Sequence, residues 1–133
     1  AADVPRLPDE VSHGPRNRSA VALTFHGQGD PTLVGRLLDE ITAGGARVTV
    51  LAVGTWLSAY PALGRRIVNA GHELGNHTLH HGDINRMPAH QIHAEIAGCA
   101  QVLRTVTGSI GRWFRPSRTQ HASAAVRATA TRV

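Results

Sequence analysis

Short apolar runs alternate with helical repeats along this chain, and that alternation restricts its fold more than any other feature. Val21-Ala22-Leu23-Thr24-Phe25 is an apolar run ending in a Gly-rich turn, the pattern of a buried strand. Asp30 stands as N-cap before Pro31, and Leu33, Leu37, Leu38 and Ile41 form the apolar stripe of a helix that Gly44-Gly45 closes. Arg47 to Val53, rich in β-branched residues, reads as a second strand, and a helix is expected around Pro61 to Ala70. His72 to Asn76 reads as a third strand. Pro88 opens the longest helix, with Ile92, Ile96, Ala100 and Leu103 at helical spacing and an end near Gly108. Arg112 to Phe114 is expected as a fourth short strand and Ser123 to Thr131 as a last helix. This order predicts an α/β fold, a parallel sheet covered by helices, either open or closing into a barrel. In both, sites form where strands end and loops begin. The polar clusters at 26–30, 77–83 and 115–121 each follow an expected strand, so one shared site is expected.

Composition bounds what this sheet can serve. With 133 residues the chain is one domain, long enough to bury about two-thirds of its unfolded surface. Residues 1–19 hold three prolines and little periodicity, and read as an extended arm ahead of a domain at 20–133. Apolar content of 41% argues against disorder, while 4% aromatics leaves the core to Ala, Val, Leu and Ile. No apolar run approaches the roughly 20 residues needed to span a bilayer. The single cysteine, Cys99, excludes an internal disulfide and a multi-cysteine zinc knuckle; it falls in a helical pattern as a buried, inert thiol. The net charge of +5 comes from arginine alone. Arg6, Arg16, Arg36, Arg65, Arg104 and Arg127 are scattered, without a basic stripe or aromatic stacking platforms, so nucleic-acid binding is not expected. Attraction to an anionic cell wall fits the charge. Ala1-Ala2-Asp3 reads either as a mature end left by an export signal or as an imposed boundary.

The chemistry concentrates in Gly71-His72-Glu73-Leu74-Gly75-Asn76-His77-Thr78-Leu79-His80-His81, a short strand ending in a knot of imidazoles. One helical turn would set His77 and His81 on one face, roughly 5–6 Å apart at Cβ, where two neutral imidazoles can share a metal ion. A third ligand, a carboxylate or imidazole, would come from Phe25-His26-Gly27-Gln28-Gly29-Asp30. A set of Asp30, His77 and His81 with an open position would hold a water and lower its pKa, leaving another side chain as general base. Arg115 would orient a carboxylate or steady the substrate.

Plainer roles compete for several of these residues. Asp30 serves equally as a helix N-cap, and His26 as a core histidine. His80 turns away at helical spacing, His90 and His93 belong to a solvated helix face, and His72 is expected to bond structurally. His121 follows the Arg115 strand end and is a candidate to line the pocket. Asp83 either caps a turn or supports the histidines from outside.

Taken together, these residues resemble the polysaccharide deacetylase family, the NodB-homology domain of carbohydrate esterase family 4. That family carries His-(Ser/Thr)-x-x-His, matched here by His77-Thr78-Leu79-His80-His81 behind Gly71-His72-Glu73-Leu74-Gly75-Asn76. Gly82-Asp83-Ile84 and Trp113-Phe114-Arg115-Pro116 resemble later family elements, and the likeness spans about residues 20 to 130. It implies a distorted (β/α) barrel, present here in part. It also implies a divalent metal, most commonly zinc, and hydrolytic removal of acetyl groups from an N- or O-acetylated polysaccharide such as peptidoglycan or chitin. A secreted or cell-envelope location follows. On this resemblance His77 and His81 are metal ligands, with the water on the metal attacking the acetyl carbonyl.

Two departures stand out. Where the family has Thr-Phe-Asp-Asp-Gly, this chain has Thr24-Phe25-His26-Gly27-Gln28-Gly29-Asp30. Either Asp30 reaches the metal and His26 is the base, or His26 itself ligates; the first is preferred, because Arg115 resembles an arginine that orients an acid. Ser117-Arg118 replaces a Pro-Tyr pair, so the substrate groove is expected to differ. The family's later motifs, including the general acid, lie beyond Val133. A barrel cut there leaves an open sheet edge, so a fragment, or a second chain completing the barrel, is expected. His121 is the substitute acid at hand. The alternative is a catalytically inactive, glycan-binding homologue.

Overall fold

A computed structural model describes residues 6–133. Its strands are β1 (Thr24–Gly27), β2 (Thr49–Ala52) and β3 (Glu73–Asn76), in one parallel sheet of order β1-β2-β3. The register sets His26 beside Leu51 and Leu51 beside Gly75. The helices are α1 (Pro31–Ala43), α2 (Gly54–Ala59), α3 (Pro61–Asn69), α4 (Ala89–Thr107) and α5 (Ala124–Arg132), with a short 3-10 turn at Ile84–Arg86. The expected α/β architecture with helix-covered parallel strands is present as a three-stranded sheet.

Local chemistry sets the helix ends. Thr32 N–H donates to Asp30 Oδ1 at 2.8 Å, capping α1 beside Pro31. Gly108 at φ 82° ends α4 in the left-handed region, which costs a glycine no Cβ clash. Val126 N–H donates to Ser123 Oγ at 3.3 Å and opens α5.

The main core lies between the sheet and α2, α3 and α4. Val50, Ala52, Val53, Leu57, Ile67, Leu74, Cys99 and Leu103 meet there. Ile84, Ile92, Ile96 and Val126 form a second cluster under α5. Cys99 is fully buried and its Sγ–H donates to the Ala52 carbonyl at 3.4 Å. Burial pushes its thiol up to about 12, so thiolate is scarce at neutral pH. Iodoacetamide at pH 8 is therefore expected to leave Cys99 unmodified in the native chain and to alkylate it fully in guanidinium, as read by intact mass.

The structure corrects four sequence expectations. The first strand starts at Thr24, and Val21 and Leu23 are exposed at 85% and 49%. Among the described residues only β2 pairs with this strand, which makes it an edge of the described sheet rather than a buried strand. Helix α2 has no counterpart in the sequence reading, since six residues opening on Gly54 carry too little periodicity. The expected strand at Arg112 to Phe114 reduces to a single parallel bridge between Phe114 and Asn76. Finally, His77 to His81 is irregular loop rather than a helical turn. Of the arm, residues 6–19 lack helix and strand, and residues 1–5 lie outside the described residues.

Candidate metal centre

Two chain segments meet at the carboxyl ends of the strands. His26 sits near the end of β1, and His77 and His81 sit in the loop leaving β3. Their ring centroids lie 4.4 Å (His26 to His77), 4.8 Å (His77 to His81) and 6.4 Å (His26 to His81) apart. One ligating nitrogen from each lies within 4.8 Å of the others.

The loop reaches this arrangement through backbone conformations that side-chain patterning does not reveal. Thr78 and His81 have positive φ, 69° and 60°. These strained positions are held by a buried polar network. Thr78 N–H donates to Asn76 Oδ1 (2.9 Å), and Asn76 Nδ2 donates to the Ile96 carbonyl of α4 (2.9 Å). His81 N–H donates to Thr78 Oγ1 (3.1 Å), whose hydroxyl donates to Ser117 Oγ (3.1 Å). The Ser117 hydroxyl donates to the Gly82 carbonyl (2.5 Å). On the far side of the loop, Glu95 of α4 accepts the His80 N–H at 2.8 Å and faces the His80 ring at 2.6 Å. Asn76, Thr78, Glu95 and Ser117 thus position the imidazoles. Sequence reading misses them because their partners lie up to 39 positions away.

His77 is 1% exposed, and its Nδ1 faces the Arg115 carbonyl at 3.0 Å. A carbonyl only accepts, so Nδ1 carries the proton and Nε2 is left as a lone pair. Buried Nε2 has no hydrogen-bond partner. Such orphans are rare in folded chains, and a cation is one way to satisfy this one. Burial drives the His77 pKa down from 6.5 to about 4; the Arg115 carbonyl opposes that, while His26, His81 and the Arg115 charge reinforce it. His26 is lowered in the same direction, first by desolvation, then by Arg115 and His81. His77, at least, is therefore neutral at pH 7, as ligation requires.

The donor set fits a divalent ion. Three imidazole nitrogens on a tetrahedral ion at roughly 2.0–2.1 Å would lie about 3.3 Å apart. A spread of up to 4.8 Å closes to that by side-chain rotation.

The other sequence candidates separate. Asp30 lies outside the imidazole group and spends its Oδ1 on the α1 N-terminus. Of the expected trio of Asp30, His77 and His81, the structure brings the two histidines together, with His26 beside them, and leaves Asp30 at the α1 cap. Arg115 is beside the histidines, but its guanidinium donates to Thr24 Oγ1 (2.9 Å); among the described residues no carboxylate pairs with it. His121 pairs with Glu10 of the arm at 2.5 Å and is not part of the group. Asp83 pairs with Arg86 at 3.5 Å. His72 accepts the Val48 N–H at 3.3 Å, and His90 and His93 are exposed on α4.

The low His77 pKa has a consequence for the metal-free chain. Between pH 6.5 and about 4 the unfolded chain binds a proton at this residue that the folded chain refuses. Stability is then full above 6.5 and falls as pH drops towards 4, by up to about 3 kcal/mol. Urea midpoints measured in chelator at pH 7 and pH 4.5 are expected to differ in that sense.

Fold and geometry together define a class: a helix-covered parallel α/β domain that gathers imidazoles at the carboxyl ends of its strands. A family model described as polysaccharide deacetylase matches residues 13–132. The chain belongs to the polysaccharide deacetylase family. It is 28% identical over 103 residues to a peptidoglycan-N-acetylglucosamine deacetylase of Bacillus cereus, covering 77% of this chain and 38% of that protein. A family 4 acetyl xylan esterase from Clostridium thermocellum, solved with a cobalt ion, superposes with TM-score 0.73 at 32% identity, over 79% of this chain and 51% of that one. A family 4 pseudoenzyme from Bacillus anthracis superposes with TM-score 0.87 at 21% identity, over 95% of this chain and 45% of that one, a likeness of fold alone. The chain spans about two-fifths of the length of the curated relatives it matches. These comparisons lend no support to a second chain completing the barrel.

Proposed function

We propose that this chain supplies the metal-binding part of a deacetylase that hydrolyses acetyl groups on an acetylated cell-wall or related polysaccharide. The carrying observation is the orphaned, buried Nε2 of His77, on a ring grouped with two further imidazoles. His77 and His81 are the residues that would hold a divalent ion, zinc being the natural match to imidazole donors. When bound, the ion supplies Lewis acidity towards an acetyl carbonyl and makes water a nucleophile at neutral pH. The Arg115 carbonyl holds His77 in the tautomer that leaves Nε2 unprotonated. The Arg115 guanidinium, on the rim with the Thr24 hydroxyl, would orient the substrate. An exported, cell-envelope location suits a polymeric substrate of this kind. Among the described residues no helix is long and apolar enough to cross a membrane.

A second reading, an inactive glycan-binding homologue, has one specific observation in its favour. The imidazole group includes no carboxylate to serve as base. Metal analysis beside acetate release from N-acetylated glucosamine oligomers and from acetylated xylan separates the two. Acetate release that chelator stops and zinc restores supports the deacetylase. One bound ion and retained oligomer without acetate supports the binding protein. Neither ion nor acetate would sink the main proposal.

A further inference from the structure

We propose that His26 completes the centre as its third ligand, so that imidazole alone holds the ion. This rests on the reading that His77 and His81 bind a divalent cation. The ring of His26 lies closer to His77 than His81 does, 4.4 Å against 4.8 Å between centroids. An ion on His77 Nε2 is then within reach of His26 after a small side-chain rotation. A general base would act on a water beyond the ligand shell; the ligating nitrogens of His26, His77 and His81 instead lie within 4.8 Å of one another, a spread that one ion can bridge. Gly27 follows it in β1, and a Cβ at that position would meet Ala52 Cα at 2.9 Å. The glycine lets β1 lie tight against β2, which keeps the His26 backbone near β3 and its loop.

The ligand set decides the charge of the centre. Three neutral imidazoles leave a bound ion its full double positive charge, and Arg115 stands beside it with no carboxylate partner among the described residues. Hard cations such as magnesium and calcium prefer oxygen ligands, so this set selects zinc, cobalt or nickel against them. A carboxylate in place of His26 would lower the charge and soften that discrimination.

Calorimetric titration of the full chain with zinc, and the visible spectrum of the cobalt-loaded chain, test the assignment. H26A is expected to lose more than about 100-fold in zinc affinity, beyond the 10–100-fold that a lost supporting contact causes, and to change the cobalt bands. H26D is expected to keep one ion per chain with altered cobalt bands and increased manganese binding. D30A is expected to bind zinc within about twofold of the parent. Circular dichroism melts in chelator confirm that each variant folds, which the exposure of His26 favours. If H77A and H81A lose zinc while H26A matches the parent in affinity and spectrum, the His26 assignment is overturned and the metal reading stands. If the parent binds no zinc, both fall.

Discussion

H77A is expected to lower zinc affinity by more than about 100-fold and to leave the metal-free chain folded at neutral pH. Among the three imidazoles only His77 is fully buried, and its tautomer is set by a backbone carbonyl. Removing an oriented ligand costs more than the 10–100-fold seen for lost supporting contacts. The same substitution also removes the residue that refuses a proton in the fold. The acid loss of stability described for the metal-free chain should therefore flatten in H77A between pH 7 and 4.5. Zinc titration and paired urea unfolding curves read the two effects separately. An unchanged acid slope would reassign that slope to another group.

G75A is expected to destabilise the chain by about 3 kcal/mol, at the upper end of overpacking costs, and to weaken zinc binding with it. A Cβ on Gly75 would meet the Trp113 carbonyl oxygen at 2.5 Å and Leu51 Cδ1 at 2.8 Å. The carbonyl belongs to backbone that cannot rotate aside. It also receives the Asn76 N–H at 2.8 Å, and two residues later the Arg115 carbonyl receives the His77 ring. Pushing this segment outward therefore disturbs the orientation of a ligand as well as the packing of β3. A thermal melt measures the first effect and calorimetry the second. A variant that melts normally yet binds zinc poorly would show that the close approach orients the ligand without bearing on stability.

Much of the fold is legible in the sequence because helix ends are written in local chemistry. Asp30-Pro31, Gly44-Gly45, Gly108 and Ser123 mark boundaries within a residue or two of those observed. The first strand is less legible, since Val21 and Leu23 are apolar yet exposed, and composition does not distinguish an edge from an interior. The histidines at 77 and 81 stand out by spacing, but the reason they meet does not. Helical periodicity is the simplest geometry for residues four apart, whereas the chain uses two positive-φ residues braced by Asn76, Thr78 and Ser117. Asp30 shows the opposite problem. An N-cap and a metal ligand demand the same carboxylate, and only the 2.8 Å bond to Thr32 N–H shows where that oxygen is engaged.

The placement of His26 on a border strand of the described sheet has a mechanical outcome. Along one side β1 is zipped to β2, and along the other it has no strand neighbour among the described residues. Left so, its amides should be among the earliest to fray and exchange with deuterium. A cation gripped jointly by His26 and the loop after β3 would rivet that border to a segment 51 positions further along (77 − 26). Loading would then slow exchange at Thr24 to Gly27 well beyond the coordination shell, making the vulnerable margin of the sheet one of its last parts to open.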